Sequence, residues 1–111
     1  MKLTIRKAGR TTILELDGAL RLGEAEDVVR EQVQQLIDSG ASRVAFNLAK
    51  LTDLDSSGIG VLVRSFASIN RAGGKCTFYA VSNRVLMLLK MVRLDTVLDI
   101  ASDEGAALSR L

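Results

Sequence analysis

The residues Asp53-Leu54-Asp55-Ser56-Ser57-Gly58-Ile59-Gly60 hold the densest polar chemistry in the chain. Hydroxyls sit between carboxylates and glycines, after a strand-like run and before an amphipathic helix pattern. Four chemistries suit such a grouping at a helix start: a cap, a nucleophile, a phosphate cradle or a modification site.

A cap is the plainest. Asp and Ser side chains accept from the free N–H groups of a first helical turn, and losing such a cap costs ~1 kcal/mol. Glycine fits that role poorly, because each one inside a helix costs roughly 0.8–1 kcal/mol against alanine. Gly58 and Gly60 therefore imply that something comes close to the backbone there. A nucleophilic serine needs a base within hydrogen-bond reach. The sequence has no histidine, so only lysine or a carboxylate remains. Leu54 stands two residues before Ser56, so the Gly-x-Ser-x-Gly elbow is missing as well. A phosphate cradle is disfavoured because Asp53 and Asp55 repel an anion, and the Gly-x-Gly spacing lacks the lysine of a nucleotide loop. A phosphorylated serine carries about −1.5 to −2 charges at neutral pH. Helix N-terminal N–H groups and the helix dipole tolerate that charge. With Asp53 and Asp55 alongside, the modified patch is expected to become strongly negative and repel a docked partner, so phosphorylation would act as a release switch.

The rest of the composition narrows the class. At 111 residues, 48% apolar and 25% charged, the chain suits one domain, 1–111. With aromatics at 4%, its core must be aliphatic. The missing histidines remove most zinc sites, and no metal or cofactor is expected. Cys76, the single cysteine, reads as a small buried hydrophobe in a strand and suits a reducing compartment. A net charge of +2 with scattered cations does not point to nucleic acid. Met1 to Lys7 lacks the apolar segment of a signal peptide, and no apolar run approaches the ~20 residues that cross a bilayer. A soluble, cytoplasmic protein is expected.

Periodicity supplies the elements that position the loop. Leu3–Arg6 and Thr12–Leu16 alternate as strands joined by a turn, with Asp17-Gly18 ending the hairpin. Gly23–Asp38 reads as a helix with an Ala25, Val29, Val33, Leu36, Ile37 stripe and acids in its first turn. Arg43–Leu48 reads as a strand. Ser57–Ala72 follows as a helix with stripe Ile59, Leu62, Val63, Phe66, Ile69, and with Arg64, Ser65, Ser68 and Arg71 off it. Cys76–Val81 is a strand, Arg84–Val92 a helix apolar almost all round, Thr96–Ile100 a strand, and Ser102-Asp103-Glu104 opens a helix to Leu111. The order β-β-α-β-α-β-α-β-α predicts an α/β domain: a mixed β-sheet with helices packed on it and its later strands parallel.

From Asn47 to Leu62 the sequence resembles the signature of STAS domains, the bacterial anti-sigma factor antagonists. The features that carry the resemblance are an Asn-Leu strand end, Asp55-Ser56-Ser57-Gly58-Ile59-Gly60 and an apolar helix, with Gly18-Ala19-Leu20 closing the hairpin and a tail of fitting length. It implies a stand-alone STAS-like fold without enzymatic activity. It also implies a partner that is an anti-sigma factor, often itself a serine kinase, and a cognate phosphatase. Carried onto this chain, Ser56 is the phosphorylated residue. Asp55 and Ser57 flank it, Asp53 joins them on the expected partner-binding surface, and Gly58 and Gly60 let a partner approach the backbone. Two positions depart from the pattern. Arg21 stands where members often carry an acid, and can pair with a phosphoserine instead of repelling it. Arg93 stands where a glycine often precedes the leucine Leu94. The third helix is too apolar to bury every face, which implies a partner or homodimer patch near Leu86, Met87 and Lys90, on a protein that is a monomer or a weak homodimer. The alternative is a STAS-like scaffold subunit of a stress-signalling or transporter complex with no phosphorylation.

Overall fold

Alternation of apolar and polar residues builds β1 (Lys2–Ala8) and β2 (Thr11–Leu20) as an antiparallel hairpin, with Lys2 opposite Asp17 and Ala8 opposite Thr11. In the computed structural model, which describes residues 1–111, the chain then alternates helix and strand. The elements are α1 (Glu24–Asp38), β3 (Arg43–Leu54), α2 (Ser56–Arg71), β4 (Lys75–Tyr79), α3 (Asn83–Met91), β5 (Ile100–Ala101) and α4 (Glu104–Ser109). The sheet order is β1-β2-β3-β4-β5, and every pair after the hairpin is parallel. This is the expected mixed α/β sheet.

The period of two along each strand divides the core. Leu14, Leu16, Phe46, Leu48 and Phe78 meet Val29, Val33, Val61, Leu62, Ile69, Val85 and Leu89 from α1, α2 and α3. Phe46 and Phe78 stack there with ring centroids 4.9 Å apart. On the opposite face the apolar patch is small: Ile13, Ala45, Tyr79 and Ala101 pack against Ala107 of α4. Polar contacts complete that seat. The Tyr79 hydroxyl donates to Glu104 Oε1 at 2.9 Å, and Arg6 pairs with the same carboxylate.

Several boundaries differ from the sequence expectations, each for a local reason. Asp17-Gly18 does not end the hairpin: β2 continues to Leu20 through register shifts against β3, with Gly18 at φ 115°. β3 likewise runs past Leu48 to Leu54, because Leu51 and Leu54 return to the core after the exposed pair Ala49-Lys50. The segment Thr96–Leu98 is not strand. It closes turns onto Leu94, and β5 pairs only at Ile100 and Ala101. Ser65, off the apolar stripe, is nevertheless buried: its hydroxyl donates to the Val61 carbonyl at 2.6 Å.

α1, α2 and α3 end alike. After each, a residue with positive φ turns the chain, its N–H bonds the carbonyl three residues back, and the next N–H bonds the carbonyl five residues back. Gly40 (φ 85°) and Gly73 (φ 87°) serve α1 and α2, whereas Arg93 (φ 60°) serves α3. The arginine that departs from the family pattern thus occupies a left-handed position that favours glycine.

Candidate functional site

The lengthened β2 and β3 deliver their C-terminal ends side by side, Leu20 opposite Leu54, directly beneath the starts of α1 and α2. Crevices outside the carboxyl ends of parallel strands are where α/β sheets present their functional groups. Asp55 follows Leu54 in extended conformation and caps α2: its Oδ1 accepts the Gly58 N–H at 2.8 Å. Its Oδ2 accepts the Leu22 N–H at 2.9 Å. One carboxylate therefore closes a helix end and ties it to the segment leading into α1. The Leu22 and Gly58 amides, the former contributing more, hold this carboxyl below the usual range.

With the cap supplied by Asp55, Ser56 is the first helical residue. It is exposed, and the capping bonds of α2 do not use its hydroxyl. Ser57 lies half-buried beside it.

Asp53 sits at the end of β3 between two arginines. Arg21 Nη2 donates to Oδ2 at 2.8 Å and Arg84 Nη2 to Oδ1 at 3.2 Å. The Arg21 bond is the main reason this carboxyl lies below its ordinary value, and Arg84 adds to it. Arg21 also acts electrostatically on Asp55. The expected run of free negative charge is thus corrected. Asp53 and Asp55 are matched by Arg21 and Arg84, and both Asp55 oxygens are occupied by backbone donors.

The glycines separate in role. A side chain at Gly58 would run into the Leu20 carbonyl oxygen, so what approaches that backbone is the same chain, not a partner, and Gly58 is buried. That corrects the expectation for Gly58. At Gly60 a Cβ would meet only the Arg64 guanidinium, 3.0 Å away. Arg64 reaches back to Glu26 of α1 at 3.3 Å.

α3 begins at this site. Ser82 caps it, accepting the Val85 N–H at 3.2 Å, and Arg84 in its first turn reaches Asp53. Val85 and Leu89 face the core, while Met87 (63% exposed), Met91 (74%) and Lys90 face outward. Leu86 is half-buried. Leu22, beside Asp55, is 74% exposed. Sequence reasoning brought together Arg21, Asp53, Asp55 and Ser56 but missed Arg84 and Leu22. For Arg84 there was a signal: a cation in a first helical turn opposes the dipole, so its partner must lie elsewhere.

Among the titratable groups, Cys76 is buried and its thiol is pushed well up by desolvation, so it is not nucleophilic at neutral pH. No cluster of three or more Cys, Asp or Glu suits a metal, and no helix is long and apolar enough to cross a membrane.

Comparison with known proteins follows the same lines. The STAS domain model matches residues 2–107. The anti-sigma F factor antagonist of Paenibacillus polymyxa is 32% identical over 100 residues, covering 89% of this chain and 85% of that protein. The anti-sigma-B factor antagonist of Bacillus subtilis is 32% identical over 79 residues, covering 70% and 72%. In fold the chain resembles the Bacillus anti-sigma factor antagonist SpoIIAA. The TM-score is 0.76 against its unphosphorylated form (20% identity, 98% and 96% coverage). Against the phosphorylated form it is 0.74 (22% identity, 98% of both chains).

Proposed function

The chain belongs to the STAS domain family, and from that premise we propose that it is an anti-sigma factor antagonist switched at Ser56. In its unphosphorylated form it binds an anti-sigma factor and so frees a sigma factor for transcription. Phosphorylation of Ser56 by a serine kinase, the anti-sigma factor itself in the simplest arrangement, releases it, and a phosphatase restores it. The chain works in the cytoplasm as a regulatory binding protein and catalyses nothing itself.

The observation that carries this reading is the placement of Ser56: exposed, at the first position of α2, and relieved of capping by Asp55. A kinase can take its hydroxyl without dismantling the helix end. The docking surface is the neighbourhood of that hydroxyl: Ser57, Gly60, Leu22, Arg21, and Met87 and Lys90 along α3. Arg84 bonds Asp53 and thereby joins α3 to the loop. Met side chains adapt to a partner at little cost.

Two substitutions test it. Ser56→Ala should bind the anti-sigma factor constitutively, and Ser56→Asp should bind poorly. Equal affinity of both variants would contradict the switch. Incubation with ATP and a serine kinase encoded beside it should add one phosphate to the peptide Asp55–Arg64. An unmodified peptide there favours the second reading, a STAS scaffold subunit. The feature that supports that reading is the exposed apolar side of α3, Met87, Met91 and Val92.

A further inference from the structure

We propose that Arg21 and Arg84 form a receiving site for the phosphate of Ser56, handing over from the Asp53 carboxylate to the phosphoserine when the residue is modified. The inference rests on Ser56 being the phosphorylated residue and concerns what the modified loop then does.

The geometry sets out the competition. In the unmodified protein both guanidinium groups converge on Asp53, at 2.8 and 3.2 Å, from segments that are otherwise separate: the β2–α1 connection and the first turn of α3. Their side chains are 60% and 66% exposed, so neither is locked by packing. Asp53 is three residues before Ser56 on the same turn into α2. Arg21 is already within electrostatic reach of Asp55, the neighbour of Ser56. Asp55 bonds neither arginine; its oxygens take the Gly58 and Leu22 amides. The carboxylate that an incoming phosphate must displace from both arginines is that of Asp53, with a single charge. A phosphomonoester near −2 with three acceptor oxygens attracts guanidinium groups more strongly than one carboxylate does. The other nearby cation, Arg64, lies over Gly60 and is held by Glu26.

The handover changes what a partner meets. Before modification two arginines balance two carboxylates, Asp53 and Asp55, and the patch is near neutral. Afterwards the arginines are drawn over the phosphate, Asp53 is uncovered, and the start of α3 is pulled toward the start of α2. Release then depends on rearranged arginines as well as on repulsion.

The phosphate itself reports the contact, with no partner or kinase needed. Phosphoserine is inserted co-translationally at position 56, and the second ionisation of the phosphate is followed by phosphorus NMR across pH in the native protein and in Arg21→Gln/Arg84→Gln. An unperturbed phosphoserine titrates near ~6. Paired with two guanidinium groups it should titrate below that value. In the double variant, left with the α2 N-terminus and facing Asp53 and Asp55, it should titrate higher than in the native protein. A native value at or above about 6, or a double variant that does not rise, overturns the handover. Circular dichroism of both proteins confirms that the exposed substitutions leave the fold in place. The outcome is separate from partner binding, which the Ser56→Ala and Ser56→Asp affinities decide.

Discussion

The Asp55 carboxylate accepts the Leu22 backbone N–H at 2.9 Å while its other oxygen caps α2 through Gly58, so the residue before Ser56 holds the loop together and Ser56 does not. The two residues should therefore separate cleanly on mutation. Asp55→Ala should lower the melting temperature by several degrees, since a cap and a loop tie are lost together. Ser56→Ala should leave it within about a degree. Thermal denaturation of both variants checks the division, and equal losses would contradict it.

Gly58 and Gly60 offer a second contrast. Gly58→Ala forces a methyl into the Leu20 carbonyl, a backbone atom that cannot step aside, and should destabilise the protein by about 1–3 kcal/mol or more. Gly60→Ala meets only the mobile end of Arg64 and removes a helix-interior glycine, so it should be neutral or stabilising by up to ~1 kcal/mol. Urea denaturation midpoints measure both.

Arg93 ends α3 with φ 60°, in the position that Gly40 and Gly73 fill for α1 and α2. A non-glycine residue there costs roughly 1 kcal/mol or somewhat more. Arg93→Gly should raise stability by about that amount, offset in part by greater freedom of the unfolded chain. A rise in the denaturation midpoint is the expected result.

Acid should weaken the protein in a predictable direction. Asp53, Asp55 and Glu104 have folded pKa values below their ordinary ones, held down chiefly by Arg21, by the Leu22 amide and by Arg6 respectively. A depressed carboxyl contributes stability that is present above its unfolded pKa of about 4 and is lost as pH falls through the folded value. The melting temperature should thus be nearly flat with respect to these groups from about pH 5 to 8 and fall below about pH 4. Asp55→Asn should shrink that acid dependence.

Much of this was legible in the residues. The stripe of α1, the element order and the cap-like chemistry of Asp55 follow from spacing alone, because burial on one face and capping are local demands. What was not legible came from contacts between distant segments. Asp17-Gly18 looks like a break, yet it stays in the β2–β3 ladder, Asp17 opposite Lys50 and Gly18 opposite Leu51, with a register shift on either side. The cause of Gly58 lies 38 residues earlier in Leu20, and the neutralisation of Asp53 lies in Arg21 and Arg84. Ser65 falls off the apolar stripe of α2 yet is buried, because the Val61 carbonyl satisfies its hydroxyl.

The central claim is that one phosphate on Ser56 decides whether a partner binds. Calorimetric titration of an anti-sigma factor with the unmodified protein and with the protein carrying phosphoserine at position 56 measures it directly. The switch predicts that the modified form binds at least about tenfold more weakly, ~1.4 kcal/mol. Indistinguishable affinities for the two forms would contradict it.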